Sequence, residues 1–330
     1  MSKVRNSNIE LLRIISMLFI ISHHFLVHGM HIWQDSSSSN FLLLSLDACF
    51  YVAVNVFVLI SGYFGIRFEW KKILTVYFLT AFIGLFCYLT HLFIDDASFG
   101  RSVIWQTVFS ISHGHTWFIR VWIYLFLFSP IINTALNTFD KQQLQLVLFL
   151  LTIICVYFGW FWQGEVNKDG YNLINFIWIY SIGYYLNHFF EYNAKCSLIY
   201  IVVWLLCSII NVILFIILDS YCAWTYNNPF IVVASIAFFL YFRSLNFISK
   251  SINAIAQCTL GVYLIHEHAY ISPIIYGEKV ASIYSSNIIY FIISVLLLFS
   301  LCAVIDFIIR KILLYPVLDI LSRAHKKNYS

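Results

Sequence analysis

Long apolar runs separated by short polar segments dominate the chain. Ten such runs lie at approximately 9 to 29, 42 to 66, 73 to 94, 116 to 136, 143 to 162, 173 to 190, 196 to 218, 228 to 247, 255 to 275 and 288 to 309. Each reaches or approaches the roughly 20 residues that a helix needs to cross a hydrocarbon core. The runs are continuously apolar, whereas strands of a membrane barrel are about half as long and alternate. The pattern therefore predicts an all-α fold, a polytopic transmembrane helical bundle of about ten spans forming one membrane-embedded domain over residues 1–330. The first run, Ile9 to Gly29, is longer than the apolar core of a signal peptide and no small-residue cleavage pattern follows it, so it is predicted to stay as a helix. Short surface helices are expected over 97–113 on the outer side and over Ile312 to Ile320 on the inner side.

An even number of spans puts both termini on one side. Placing them in the cytoplasm brings Lys3, Arg5, Arg67, Lys71, Lys72, Lys141, Lys195, Arg243, Lys250 and the C-terminal basic residues inside, and leaves Arg101, Lys168 and Lys279 outside. That asymmetry agrees with the positive-inside rule. Composition adds a second line: 62% of residues are hydrophobic and 10% charged, against about 25% charged in soluble domains. The surface of a water-soluble globule is missing, and a lipid bilayer is the expected solvent. A net charge of +4 is spread over short loops, which excludes a nucleic-acid patch and leaves topology as its explanation. The eight cysteines occur singly, without CxxC or Cys/His ligand spacing, and read as core residues.

Polar residues inside the apolar runs are the candidates for chemistry, because burying them is costly. Arg13 lies about one turn inside the first run, and His23 and His24 lie deep within it. Arg13 either snorkels to the headgroups or serves a site. Eleven residues at about 100° each bring His24 within about 20° of Arg13, some 16 Å further along the same helix face. His23 points roughly 100° away, so the two histidines cannot face one site without a helix distortion, and spacing favours His24 as the base. Glu10, three residues before Arg13, is placed to orient the guanidinium or is an ordinary helix-start carboxylate. Ser61-Gly62 let a second helix or a ligand approach the backbone closely. Arg67, Lys71 and Lys72 form either a positive-inside cluster or a surface for a phosphorylated donor. His113 and His115 have no third ligand nearby, and no metal site is expected. Trp117 and Arg120 follow them at the start of the fourth run. In the ninth run Thr259, Tyr263 and His266 share a face, and Glu267 is an acid that needs a partner. Asp306 and Arg310 read as a structural pair.

Taken in order, Glu10-Leu-Leu-Arg13 followed after ten intervening residues by His24, Phe57-Val-Leu-Ile-Ser61-Gly62-Tyr63, His115-Thr-Trp117-Phe118 and Thr259-Leu-Gly261-Val-Tyr263-Leu-Ile-His266 resemble acyltransferase family 3, over essentially the whole chain. The resemblance implies a bacterial cytoplasmic-membrane enzyme with an acetyl-CoA or other acyl-CoA donor. Its acceptor would be a cell-surface carbohydrate such as a surface polysaccharide, a lipid-linked glycan or peptidoglycan. It also implies His24 as the catalytic histidine and Arg13 as its essential companion. Many relatives carry an aspartate where this chain has Asn55, which puts an acid role there in doubt. Some relatives append a soluble esterase-like domain; this chain runs about twenty residues beyond its last run, so transfer is expected to fall to the membrane core alone. The alternative is a transporter, flippase or polymerase of lipid-linked polysaccharide units. Only four prolines and no internal repeat argue against a transporter.

Overall fold

The computed structural model describes residues 6–34, 41–95, 105, 109, 111, 116–164, 166–218 and 221–327, and these residues form helices and connecting turns with no strand. In chain order the helices are α1 (Ser7–His24), α2 (Phe41–Phe50), α3 (Ala53–Phe64), α4 (Trp70–Asp95), α5 (Trp117–Thr138), α6 (Lys141–Thr152), α7 (Leu173–His188), α8 (Ser197–Leu218), α9 (Pro229–Ser244) and α10 (Lys250–Ile255). They continue with α11 (Thr259–His266), α12 (Ser272–Tyr276), α13 (Glu278–Ser285), α14 (Ile288–Ile309) and α15 (Tyr315–Lys327). Among the described residues, eight helical stretches are long and apolar enough to cross a membrane. Leu42, Phe93, Leu198, Ile217 and a whole side of α14 remain exposed, an apolar surface far beyond what a soluble monomer presents. The chain is a multi-pass membrane protein.

Two of the ten expected spans take another form. The run at 173–190 becomes α7, which has 16 residues and so reaches only about 24 Å. It begins at Asn172, whose side chain accepts from the Asn175 N–H, and it buries Phe176, Trp178, Ile179 and Tyr180. The run at 255–275 is no continuous helix at all: α11 ends at His266 with Glu267 as its cap, a turn follows, and Pro273 lies in the first turn of the short α12. Proline suits the first positions of a new helix and cannot continue an old one, because its ring clashes with the preceding turn and it has no N–H to donate. The expected surface helix over 97–113 lies outside the described residues except Trp105, Phe109 and Ile111. Beyond α14 the chain stays helical through a π-helical turn, Arg310–Leu314, into α15.

The chain divides into two compact units. The first comprises residues 1–68 and 121–256. At its heart α1 packs on α2, α3, α9 and α10. The Asn8 amide donates to the carbonyls of Phe242 (3.2 Å) and Leu245 (2.9 Å), and the Ser249 N–H donates to the Ser7 hydroxyl at 2.8 Å. These bonds satisfy carbonyls that the C-terminal end of α9 leaves open and fix where α1 begins. Gly62 and Gly183 set the closest helix crossing: a Cβ on Gly62 would collide with the Tyr180 carbonyl, and one on Gly183 with the Leu59 carbonyl. The sequence left a helix or a ligand as the neighbour of Gly62, and the neighbour is a helix.

The second unit comprises residues 69–120 and 257–330. In it α11 packs on α4 and α14. Gly261 makes room for Asp306, whose carboxylate would collide with any Cβ at that position. Arg310 Nε donates to Asp306 Oδ2 at 2.6 Å, with Asp306 fully buried, so the expected structural pair is present.

Candidate active site

Two arrays of polar side chains stand out, one in each unit. In the first unit α1 is regular from Ser7 through His24, so the expected placement of Arg13 and His24 on one face applies along its length. Glu10 is buried, and its Oε1 lies 3.8 Å from Arg13 Nη1, with the Arg13 side chain half-buried. Immediately after His24 the helix widens into a π-helical turn, Phe25–Gly29. Such turns insert a residue into the α-helical ladder and occur often at functional sites.

Around that turn the structure gathers three histidines. The ring centroids of His23 and His24 are 5.4 Å apart, and those of His24 and His28 are 5.1 Å apart. Helical spacing placed His23 off to the side of the Arg13–His24 face, and there it meets Asp47 of α2. Asp47 Oδ1 is 2.7 Å from His23 Nδ1, and Asp47 is fully buried. The second carboxylate oxygen accepts from Trp33 Nε1 at 2.8 Å. An aromatic wall backs this group. Trp33 stacks on Trp224 (centroids 4.9 Å, 23°), and Tyr51 stacks on Tyr226 (4.7 Å, 2°) while its hydroxyl donates to the Trp224 carbonyl at 2.7 Å.

Asp47 is the residue that sequence reasoning missed, although a signal was present. An acid inside the apolar run 42–66 is as conspicuous as Glu267, and the same cost of burial applies to both. Asn55 has a structural role, since its amide donates to the Tyr226 carbonyl at 2.9 Å. The buried carboxylate of this helical stretch sits eight positions earlier, at Asp47.

Ser61 lies on α3 with its hydroxyl donating to the Phe57 carbonyl at 2.9 Å, the usual back-bond of a helical serine. Arg67 is exposed in the loop that follows.

In the second unit Lys71 and Lys72 are exposed on the first turn of α4, and Lys72 Nζ lies 3.0 Å from Glu69. Two of the motifs meet here: the Phe118 ring packs edge-on to Tyr263 (5.9 Å, 71°), and Tyr263 packs edge-on to His266 (6.1 Å, 79°). His266 is fully buried, with Nδ1 2.6 Å from the Val262 carbonyl. A carbonyl only accepts, so Nδ1 carries the hydrogen. Glu267 follows as the cap of α11, half-buried. Trp117 and Arg120 are half-buried on the first turn of α5. His113 and His115 lie outside the described residues.

An acyltransferase-domain family model matches residues 6–307. No curated protein and no solved structure matches the chain. The match runs through both units and takes in every motif on which the resemblance rested; the chain belongs to acyltransferase family 3 and is a membrane acyltransferase.

Proposed function

We propose that the protein transfers an acetyl group from an acyl-CoA donor to a hydroxyl of a cell-surface carbohydrate, in a bacterial cytoplasmic membrane. The observation that carries the reading is the polar face of α1, where a Glu10–Arg13 pair with a buried carboxylate and a histidine cluster share one helix, in a chain of the acyltransferase family. In the proposed reaction His24 takes the proton of the acceptor hydroxyl as its oxygen attacks the thioester carbonyl. The C–O bond forms, the C–S bond breaks, and the proton returns to the departing thiolate. Arg13, oriented by Glu10, holds donor phosphate or the developing oxyanion. Ser61, Arg67, Lys71 and Lys72 serve the donor, the three cations at its nucleotide end. His115, Trp117, Arg120, Tyr263, His266 and Glu267 serve the acceptor or support the groups that touch it. The proposed scheme uses no metal.

One observation favours the alternative of a transporter or polymerase: the interrupted stretch from α11 to α12 is the kind of broken helix that transporters use. Proton NMR of surface glycan separates the two, using a deletion strain complemented with wild type or with His24→Ala. Acetyl signals that return with wild type alone support acetyl transfer. Glycan that is lost or shortened, with acetylation per repeat unchanged, gives the reading to transport or polymerisation.

A further inference from the structure

The histidine that spacing set aside is held by a buried carboxylate. His23 Nδ1 meets a carboxylate that is fully withdrawn from solvent, and that carboxylate is itself held by the Trp33 indole. With the carboxylate ionised it only accepts, and Nδ1 then carries the hydrogen, which on a neutral ring confines the lone pair to Nε2. Packing confines the ring as well, with Trp33 at 5.3 Å and Tyr51 at 5.2 Å between centroids. A buried carboxylate that fixes an imidazole in one tautomer and stabilises its cation is how hydrolytic triads keep their base in register. A purely architectural aspartate in this apolar setting is costly, and its burial calls for a compensating role.

We propose that Asp47 is a positioning residue of acyl transfer, acting through His23. It holds His23 as the Nδ1–H tautomer beside His24, so the end of α1 carries a two-imidazole base. The proton removed from the acceptor hydroxyl at His24 is shared with His23, where the imidazolium faces the Asp47 carboxylate, and it returns to the thiolate that leaves as the C–S bond breaks. No oxidant, reductant or further reactant is required. This inference rests on the acyl-transfer reading above and adds to it a pair of residues and a protonation pattern.

The test uses the full-length protein in lipid nanodiscs, with 15N-labelled histidine and acetyl-CoA turnover measured in parallel on a glycan acceptor. The His23 resonance, identified by its loss in His23→Gln, is expected to report the Nδ1–H tautomer in wild type and to switch to Nε2–H in Asp47→Asn, whose amide donates to Nδ1. Turnover of Asp47→Asn is expected to fall in kcat by on the order of 1,000-fold, with KM for acetyl-CoA held within about threefold, the pattern of an interaction made only in the transition state. An Nε2–H tautomer in wild type overturns the inference without any variant. So does an Asp47→Asn protein that keeps wild-type kcat, or one whose loss of turnover only matches its loss of folded protein. A wild-type protein that turns over no acyl donor overturns the acyl-transfer reading, and this role for Asp47 with it, whatever tautomer is seen.

Discussion

The helices α1 and α14 both belong to stretches long enough to cross a bilayer, and they solve opposite problems. Along α14, Ile289, Ile292, Ile293, Leu296 and Leu297 are exposed, and the residues buried on its other side are mostly apolar. It reads as a lipid-facing span that any apolar residue of similar size would serve. By contrast α1 buries Ser7, Asn8, Glu10, Ser16 and Ser22 alongside its apolar residues, and runs into a cluster of three histidines. The less apolar helix is the more enclosed one. In lipid there is no hydrophobic drive between apolar helices, so polar side chains that must find partners are what draw a helix into the protein interior. The candidate site therefore lies where the chain is worst suited to lipid.

That contrast predicts a ranked set of effects. The largest is catalytic: His24→Ala is expected to lower acetyl transfer by more than about 1,000-fold, with the protein still folded and inserted, and transfer at the wild-type rate would remove His24 from the reaction. Next comes the helix crossing that encloses the first unit. Gly183→Leu places a side chain on the Leu59 carbonyl, and a loss of about 3 kcal/mol or of the folded protein is expected; a wild-type thermal melt in detergent would show that α3 and α7 do not meet there. Arg310→Ala strands the buried Asp306 carboxylate and is expected to cost about 3 kcal/mol, read as a lowered melting temperature in the same detergent. A smaller effect belongs to packing within α1, where Leu12→Ala empties a fully enclosed site and is expected to cost about 2 kcal/mol. The smallest is Leu297→Ala on the exposed side of α14, expected within about 0.5 kcal/mol. Equal costs for Leu12→Ala and Leu297→Ala would erase the distinction between the two helices.

Much of this was legible in the residues. Apolar runs located the helices because the cost of open backbone groups in hydrocarbon leaves a continuous apolar segment little other choice. The spacing of Glu10, Arg13 and His24 identified a polar face because an α-helix repeats every 3.6 residues. Where the reading stopped is equally instructive. Apolarity alone did not show that the run at 173–190 forms a helix of 16 residues, Leu173–His188, most of whose side chains are enclosed by protein. It also counted 255–275 as one helix, where Pro273 and the turn after Glu267 divide it. Spacing also set His23 roughly 100° from the Arg13–His24 face, and it could not say what His23 meets there, since Asp47 comes from another helix.

Fold class, family and the polar face of the first helix could all be read along the chain, since each depends on neighbouring residues or on a fixed helical period. The partner of His23 could not. Asp47 lies 24 residues from it, and Trp33 reaches the same carboxylate from a third segment. Such a contact has no periodic signature: it arises when packing brings separate segments within hydrogen-bonding distance, and burial then makes that contact obligatory.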